Sequence, residues 1–453
     1  MYGMKKLWLI FCFMPVIFGQ AQSLKAGSVV SGPMLGQVEL RTASIWLQVS
    51  SDISSVALIY WKQGHPETSR NKIYDGPLGK EFNPLRINIG GLDINSVYEY
   101  QFILNQEKSS AAGFFHTKDL WQWRNPAPDF SFITGSCAYF NETIFDRPGK
   151  PYGGDSIIFE SMARDTAAFA LWLGDNWYTR EVDFQSPWGL WYRASRDRSQ
   201  PVLSNLLKNM PQYAIWDDHD YGPDNSGSSY GLKDVSREIF MKYWCNPFYG
   251  EDQKGIYSQL SYSDMDLFLT DDRYFRSADE FADSVYGKPN PEKHFFGQKQ
   301  LHWLEDALVQ SLATFKIIVV GSQTLNPMSR DEGFYNYSYE YHELMDFLNE
   351  NHIKGVLFLT GDRHHSEIVK VERKGNYDLY DITVSPFTSG VSKVRGVEIN
   401  NPARVPGSLV EKRNYARISV HGKKNERTCQ VQFVGEDGKT LYNWSVTEQQ
   451  LTR

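Results

Sequence analysis

The sequence lacks a surplus of basic residues, internal repeats, low-complexity tracts and any long hydrophobic run beyond its N-terminus. Acidic residues outnumber basic ones and the formal net charge is −7, which argues against a nucleic-acid binder with a broad basic face. Hydrophobic residues make up 41% of the chain, a proportion that excludes disorder as its main character. Its 453 residues leave room for two or three domains, or for one large domain with an appendage.

Cysteine is also scarce, with four residues in the whole chain. Cys12 lies in the N-terminal hydrophobic run, which leaves Cys137, Cys245 and Cys429 in the rest of the chain. An odd number of cysteines in an exported protein leaves at least one of them unpaired. Cys245 and Cys429 are candidates for a pair, and an unpaired cysteine is either buried and inert or present for its chemistry.

The N-terminus has the three parts of a secretory signal. Lys5 and Lys6 precede an apolar run over residues 7–18, and the small residues Gly19 and Ala21 follow it. The run is too short to span a bilayer comfortably, so we expect a cleaved signal peptide over residues 1–21, with an uncleaved anchor as the alternative. The mature chain is then exported, to the periplasm, the cell surface or the medium, without a further transmembrane segment.

Residues 24–118 are predicted to form an N-terminal all-β domain, a sandwich of the fibronectin or immunoglobulin type. Alternating β-branched and aromatic residues predict strands at 43–49, 56–61, 85–89 and 97–104, separated by Gly, Pro, Asn and Asp. Tyr98, six residues after Leu92, resembles the tyrosine corner of such sandwiches. Residues 118–129, with Pro126 and Pro128, have the composition of a linker.

Residues 129–450 are predicted to form an α/β domain, because short apolar strands alternate there with helix-like stretches. The predicted strands are 130–134, 167–173, 213–216, 267–270, 316–320 and 356–360. The predicted helices are 156–165, 202–209, 234–243, 298–311 and 339–349. Strands dominate again after residue 377.

Four of these strands end in polar motifs. The motifs are Gly135-Ser136-Cys137, Gly174-Asp175-Asn176-Trp177-Tyr178, Asp217-Asp218-His219-Asp220 and Gly361-Asp362-Arg363-His364-His365. Ligands of α/β proteins bind beyond the carboxyl ends of the strands, so the four motifs can converge on one crevice.

The donor types in these motifs predict a metal site. Thiolate, phenolate, carboxylate and imidazole together suit a transition-metal ion, whereas oxygen-only sets suit Ca²⁺, Mg²⁺ or Mn²⁺. The presence of both classes suggests two unlike metals bridged by one carboxylate. In such sites a metal-bound water is the nucleophile, because the metal lowers its pKa towards 7.

Several of these residues have a structural role as their alternative. The alternative role of Cys137 is that of a small thiol in the hydrophobic core, and the alternative role of Asp217 is to stabilise its own loop. His364 is favoured over His365 as a ligand by the spacing from Asp362. Arg363 and Arg273 have two open roles, bidentate binding of phosphate or ion pairing within the fold. The acidic motif at 217–220 favours a cation site, because adjacent carboxylates repel one another.

These motifs together resemble the alkaline phosphatase D (PhoD) family of calcineurin-like metallophosphoesterases. Two further segments are similar to that family: residues 269–276, which contain Asp271-Asp272-Arg273-Tyr274, and the helix Gln300-x2-Trp303-Leu304. The family also carries an N-terminal sandwich, so the resemblance covers nearly the whole mature chain. It implies a catalytic domain with a metallophosphoesterase-like β-sandwich flanked by helices.

The resemblance also implies roles for individual residues. A ferric ion would be held by Cys137, Asp175, Tyr178 and His364. A Ca²⁺ ion would be held by Asp175, Asp218 and Asp362, with Asn225 as a further candidate and with other divalent ions as alternatives. His219 would contact the phosphate or protonate the leaving group, and Asp220 would orient His219. Arg363 is a further catalytic candidate, and Asp217, Arg273 and His365 complete the candidate metal or phosphate contacts.

The sequence thus predicts an exported, metal-dependent phosphoesterase acting on small phosphate monoesters, diesters or both. One alternative is a phosphodiesterase, similar to phospholipase D in reaction, that acts on polymer or lipid diesters. The other is a glycan-binding protein whose metal site is structural, since aromatic residues make up 15% of the chain. A catalytic site keeps open positions for water and substrate, whereas a structural site is closed.

Overall fold

The computed structural model describes residues 28–329 and 332–452. The predicted signal peptide lies outside the described residues. Within the described ranges, no helix combines the length and the apolar character that a membrane crossing needs.

The N-terminal region consists of two antiparallel sheets, as expected for a β-sandwich. One sheet has the strand order β1-β2-β5 and the other β4-β3-β6-β7. The strands are β1 (Val29–Val38), β2 (Thr42–Val49), β3 (Val56–Lys62), β4 (His65–Ile73), β5 (Asn83–Gly90), β6 (Val97–Leu104) and β7 (Glu107–His116). The backbone N–H of Asp93 donates to the Tyr98 hydroxyl at 2.9 Å, which is the hydrogen bond of a tyrosine corner.

The remainder of the chain alternates strands and helices up to about residue 360 and then becomes mostly strands, as predicted. The strands are β8 (Phe130–Gly135), β9 (Ala170–Leu173), β10 (Gln212–Ile215), β11 (Ser258–Tyr262), β12 (Met265–Leu269), β13 (Ser284–Val285), β14 (Lys288–Pro289), β15 (Phe315–Val320), β16 (Val356–Thr360), β17 (Glu367–Val371), β18 (Leu379–Thr383), β19 (Asn414–His421), β20 (Thr428–Gly435) and β21 (Thr440–Thr447). The helices are α1 (Ile157–Ala163), α2 (Pro187–Arg198), α3 (Ser204–Asn209), α4 (Asp218–Tyr221), α5 (Lys233–Tyr243), α6 (Gln298–Gln310) and α7 (Ser338–Glu350).

Two six-stranded mixed sheets form the centre of this region. Sheet one has the order β10-β9-β8-β19-β20-β21, and sheet two has the order β11-β12-β15-β16-β18-β17. Strands β8, β9 and β10 run parallel in sheet one, and β12, β15, β16 and β18 run parallel in sheet two. Every residue of β15 and β16 is buried, as is usual for parallel strands covered on both faces. The predicted fold class is confirmed.

The N-terminal sandwich packs directly on the second region. Trp46 on β2 is fully buried among core residues of the larger region, and its indole N–H donates to the carbonyl of Lys242 at 2.7 Å. Ser31 donates to the carbonyl of Arg198 at 2.8 Å. The guanidinium of Arg198 lies 3.8 Å from the ring centroid of Trp244. The sandwich therefore completes the core of the larger region at this contact.

Three features differ from the sequence-based expectations. The chain forms a helix, α2, that the apolar pattern did not reveal, and the stretch predicted as one helix at 202–209 is a 3₁₀ turn followed by α3. Cys245 and Cys429 are both buried and unpaired, so the candidate disulfide is absent among the described residues. Both thiols belong to the hydrophobic core.

Candidate metal centre and active site

The four polar motifs meet where the two sheets come together. Three of them follow β8, β9 and β10 of sheet one, and the fourth follows β16 of sheet two. A Cβ atom on Gly361 would lie 2.8 Å from the carbonyl oxygen of Leu173 and from Cβ of Ser136. Glycine at this position therefore lets the end of β16 approach the ends of β8 and β9.

Four of the expected ligands have a left-handed backbone. The φ angles are +64° at Cys137, +53° at Asp175, +66° at Asp362 and +57° at His364. Non-glycine residues rarely adopt this conformation, which costs about 1–3 kcal/mol each and is concentrated at functional sites. The backbone thus turns sharply after each strand and directs these side chains to a common point.

The first group of potential ligands contains a thiol, a carboxylate and an imidazole. One ligand atom from each of Cys137, Asp175 and His364 lies within 4.8 Å of the others. Sγ of Cys137 lies 3.6 Å from Oδ2 of Asp175. The Tyr178 hydroxyl lies 3.1 Å from Nε2 of His364. The structure therefore brings together all four residues that the sequence suggested for one metal.

The second group consists of Asp175, Asp218 and His219, whose ligand atoms also lie within 4.8 Å of one another. Asp175 is the one residue common to both groups. The backbone N–H of His219 donates to Oδ1 of Asp175 at 3.3 Å, while Oδ2 faces Cys137. The two oxygens of this carboxylate thus have different neighbours, the backbone of His219 at Oδ1 and the Cys137 thiol at Oδ2.

Asp362 and Asn225 lie beside the second group. Both line the same cleft as Asp175 and Asp218. The backbone N–H of Asn225 donates to Oδ2 of Asp218 at 2.7 Å, and its side-chain amide, in its satisfied orientation, donates to Glu332 at 2.7 Å. Asn225 therefore holds Asp218 through its backbone.

The electrostatics of the cluster favour bound cations. Burial raises the pKa of the Cys137 thiol to about 12, although the Ser136 and Ser385 hydroxyls oppose this. Burial, followed by the Cys137 and Asp218 charges, raises the pKa of Asp175 well above its usual range. Burial also lowers the pKa of His364 and so favours its neutral form, the form that ligates metals. A metal ion would offset the repulsion between the anionic donors.

The donor set fits the expected metals. Sulfur, phenol, carboxylate and imidazole in one group suit a transition-metal ion, and the carboxylates Asp175, Asp218 and Asp362 suit an ion that prefers oxygen. Nδ1 of His219 is buried and has no hydrogen-bond partner among the described residues.

Asp217 and Arg273 form a buried ion pair next to the potential ligands. Arg273 is fully buried, and its Nε donates to Oδ1 of Asp217 at 2.6 Å. Its Nη2 donates to Glu332 at 2.5 Å and to the Ser322 hydroxyl at 3.1 Å. Of the two roles left open for Arg273, these contacts match ion pairing within the fold.

Asp220 is placed differently from the expectation that it orients His219. Its Oδ1 accepts the backbone N–H of Asn176 at 2.8 Å and of Trp177 at 3.3 Å. Its Oδ2 accepts the backbone N–H of Asp217 at 3.0 Å, within a capping box of α4. Since these backbone groups occupy the carboxylate, Asp220 fixes the loop that carries Asp175.

His219 has other neighbours. Its ring lies 4.2 Å, centroid to centroid, from that of Tyr178. Its Nε2 lies 3.6 Å from Oδ1 of Asp224, a largely exposed residue at the mouth of the cleft. The acidic neighbour of the imidazole is therefore Asp224, which the sequence motifs did not select.

Arg363 and His365 lie around the first group of ligands. Nη2 of Arg363 donates to both carboxylate oxygens of Glu398 at 2.8 Å, and Nη1 donates to the Ser329 hydroxyl at 2.9 Å. Nε2 of His365 is buried and lies 3.7 Å from Oε1 of Glu367. Both residues nevertheless line the cleft.

Sequence reasoning also missed Ser385 and Tyr152. The Ser385 hydroxyl donates to Sγ of Cys137 at 3.1 Å and accepts the backbone N–H of His364 at 3.0 Å, so it links two potential ligands. The Tyr152 hydroxyl lies 2.9 Å from Nδ1 of His364. Neither residue stands in a motif with a recognisable spacing, since both lie in irregular segments between strands and helices.

Asp175, Asp218, Asp362 and His364 line an open cleft of about 960 Å³, whereas Cys137 and Tyr178 are buried and do not line it. Its walls come from residues 279–280 on one side and 392–398 on the other. Both acidic and basic side chains stand on the walls: Asp279, Glu280, Glu398, Lys393 and Arg395. The cleft is wide enough for an organic ester and reaches Asp175, Asp218, Asp362 and His364.

The chain is similar to known proteins in sequence and in fold. A curated relative, alkaline phosphatase D of Bacillus subtilis (strain 168), is 21% identical over 334 residues, which are 62% of this chain and 53% of the relative. The match thus spans about half the length of the curated relative. A solved structure described as the structure of PhoD covers 95% of this chain and 92% of its own, at 17% identity and a TM-score of 0.74, and so shares the fold. The model of the PhoD-like phosphatase family matches residues 132–452, which are well over half of the chain. The chain therefore belongs to the PhoD-like phosphatase family.

Proposed function

We propose that this protein is a metal-dependent phosphoric ester hydrolase with a dinuclear centre. The observation that carries the proposal is the position of Asp175, which belongs to both groups of potential ligands and lines the cleft. Membership of a phosphatase family supports the same reaction class. Two metals that share a carboxylate are the usual means by which phosphoesterases hold attacking and leaving oxygens in line.

We assign the metals by donor chemistry. Cys137, Asp175, Tyr178 and His364 would hold Fe³⁺, since phenolate and thiolate ligands favour a strongly Lewis-acidic ion. Asp175, Asp218 and Asp362 would hold Ca²⁺ or another divalent ion that prefers oxygen. When bound, these ions supply Lewis acidity, which lowers the pKa of water and neutralises charge on the phosphoryl oxygens.

The residues of the chain supply orientation and protons. His219 lies beside Asp218 with Nε2 facing Asp224 at the mouth of the cleft, so it is placed to donate a proton to the leaving-group oxygen. Asp220 holds the loop of Asp175 by two backbone hydrogen bonds and its own helix start by a third. Arg273 fixes Asp217 and Glu332, and Glu332 itself lines the cleft.

The open cleft favours catalysis over a purely structural metal site. A structural site is closed by its ligands, whereas here a large cleft reaches Asp175, Asp218 and His364. This observation argues against the alternative of a glycan-binding protein. The cleft has room for a monoester or a diester, and we propose small phosphate esters as substrates, with polymer or lipid diesters as the second candidate. The N-terminal pattern supports export.

The test compares initial rates on an aryl phosphate monoester and on the bis-aryl diester. The protein is purified without chelator and assayed at mildly alkaline pH, with and without added Ca²⁺. We expect turnover of at least one ester, loss of turnover after chelation, and recovery when metal is returned. The absence of turnover on both esters by metal-loaded, folded protein would contradict the proposal.

A further inference from the structure

Tyr152 places its hydroxyl against one of the potential metal ligands. The oxygen lies 2.9 Å from Nδ1 of His364. The other ring nitrogen, Nε2, lies 3.1 Å from the Tyr178 hydroxyl, which in turn interacts with the Asp175 carboxylate. The two nitrogens of His364 therefore face two different phenols, and Nε2 is the one on the side of Asp175.

A cation held by Nε2 of His364 would set the direction of these hydrogen bonds. A neutral imidazole carries one proton, and an imidazole that offers Nε2 to a cation carries it on Nδ1. The Nδ1–H of His364 then donates to the oxygen of Tyr152. Because that oxygen then acts as the acceptor, the hydrogen of the Tyr152 hydroxyl is available to another group.

The two cavities that Tyr152 lines indicate which group accepts the hydrogen of its hydroxyl. Tyr152 lines the main cleft, and it also lines an adjoining pocket of about 310 Å³. His219 and Asp224 line both spaces as well. Tyr152 therefore stands at the junction of the two spaces, where a phosphate ester reaching the shared carboxylate would present its oxygens.

The position of Tyr152 is fixed by its surroundings. The Asn141 side chain accepts the backbone N–H of Gly153 at 2.9 Å and donates to the carbonyl of the same residue at 2.8 Å. The ring packs edge-on against Tyr139, with 5.0 Å between centroids. A Cβ atom on Gly390 would lie 2.7 Å from the Tyr152 ring, so only glycine leaves room for the ring there. The hydroxyl is thus held in place before any substrate arrives.

We propose that Tyr152 is a substrate-contacting residue whose hydroxyl accepts the Nδ1–H of His364 and donates its own hydrogen to a phosphoryl oxygen. The inference rests on the proposed phosphoester hydrolysis. A donor aimed at a phosphoryl oxygen strengthens its hydrogen bond as negative charge develops there in the transition state. Tyr152 would therefore contribute to turnover as well as to binding.

The test uses Tyr152→Phe, which removes the hydroxyl and keeps the packed ring. Tyr257→Phe is the matched control, because the Tyr257 hydroxyl donates to Glu251 at 3.1 Å and Tyr257 lines neither of the two spaces. Binding of inorganic phosphate is measured by calorimetry at saturating metal, with metal content and kcat/KM for an aryl ester measured in parallel. For Tyr152→Phe we expect about tenfold weaker phosphate binding and a fall in kcat/KM of about 10- to 100-fold. The control should stay within about twofold of wild type in all three measurements.

The other possible results of these measurements also decide whether Tyr152 contacts the substrate. Phosphate affinity of metal-loaded Tyr152→Phe within twofold of wild type would overturn the proposal, whatever its rate. A variant that cannot be loaded with metal would also overturn it, since Tyr152 would then serve the metal site alone. If the wild type hydrolyses no phosphate ester, the proposed function fails, but phosphate binding still decides whether Tyr152 contacts the anion.

Discussion

Replacing Asp220 distinguishes between a structural and a catalytic role for its carboxylate. The buried side chain accepts three backbone N–H groups, from Asn176, Trp177 and Asp217. Leaving a buried donor unpaired costs about 1–3 kcal/mol, and the three losses overlap because the donors belong to two adjoining loops. We therefore expect Asp220→Ala to lower the free energy of unfolding by about 4 kcal/mol. Asp220→Asn keeps Oδ1 as an acceptor for two donors and should cost about 1–2 kcal/mol.

The assay is denaturant unfolding of the metal-free protein, followed by tryptophan fluorescence. Asp224→Asn is the control, since Asp224 is an acidic residue of the next loop that is largely exposed, and it should change stability by less than about 0.5 kcal/mol. If Asp220 served only to orient His219, Asp220→Ala would lose activity with stability unchanged. That result would refute the structural role.

Two further predictions concern the charged groups at and beneath the cleft. Burial raises the pKa of Asp220 to about 7, of Asp271 to about 6 and of Glu332 to about 8. These folded-state values lie above those of the unfolded chain, so the folded state binds protons more tightly, and the metal-free protein should lose thermal stability as the pH rises from about 4 to about 8. Melting temperatures that rise across this range would contradict the prediction. Arg273→Gln should lower the free energy of unfolding by about 3–5 kcal/mol, because it leaves buried carboxylates unpaired. Arg147→Gln, at an arginine 88% exposed, is its control, and equal stability of the two variants would refute the buried ion pair.

The positions of the candidate ligands could be predicted because strand ends are visible in a sequence. Cys137, Asp175, Asp218 and Asp362 each follow a short apolar strand, and the carboxyl ends of such strands meet in space. The sequence did not show that β16 belongs to a different sheet from the other three strands. Strand pairing over long distances depends on tertiary packing, which local patterns do not contain.

Some parts of the site could not be predicted from the local sequence, and others could be predicted only from helix-capping patterns. Tyr152 and Ser385 reach His364 and Cys137 only through the folding of irregular segments. Asp220 stands three residues after Asp217, the spacing of a capping box, and this pattern predicts its backbone role better than its position beside a histidine does. Helix α2 also had a signal, since Ser186 caps it and a proline follows directly.

The central claim is that one carboxylate, Asp175, serves two metals, and metal content tests it most directly. Metal bound per chain and the rate of ester hydrolysis are measured together for the wild type, Asp175→Asn and Cys137→Ser. We expect two ions in the wild type, loss of both ions and of activity in Asp175→Asn, and loss of the transition-metal ion alone in Cys137→Ser. A folded Asp175→Asn protein that keeps both ions, or that keeps wild-type activity, would show that Asp175 does not serve two metals.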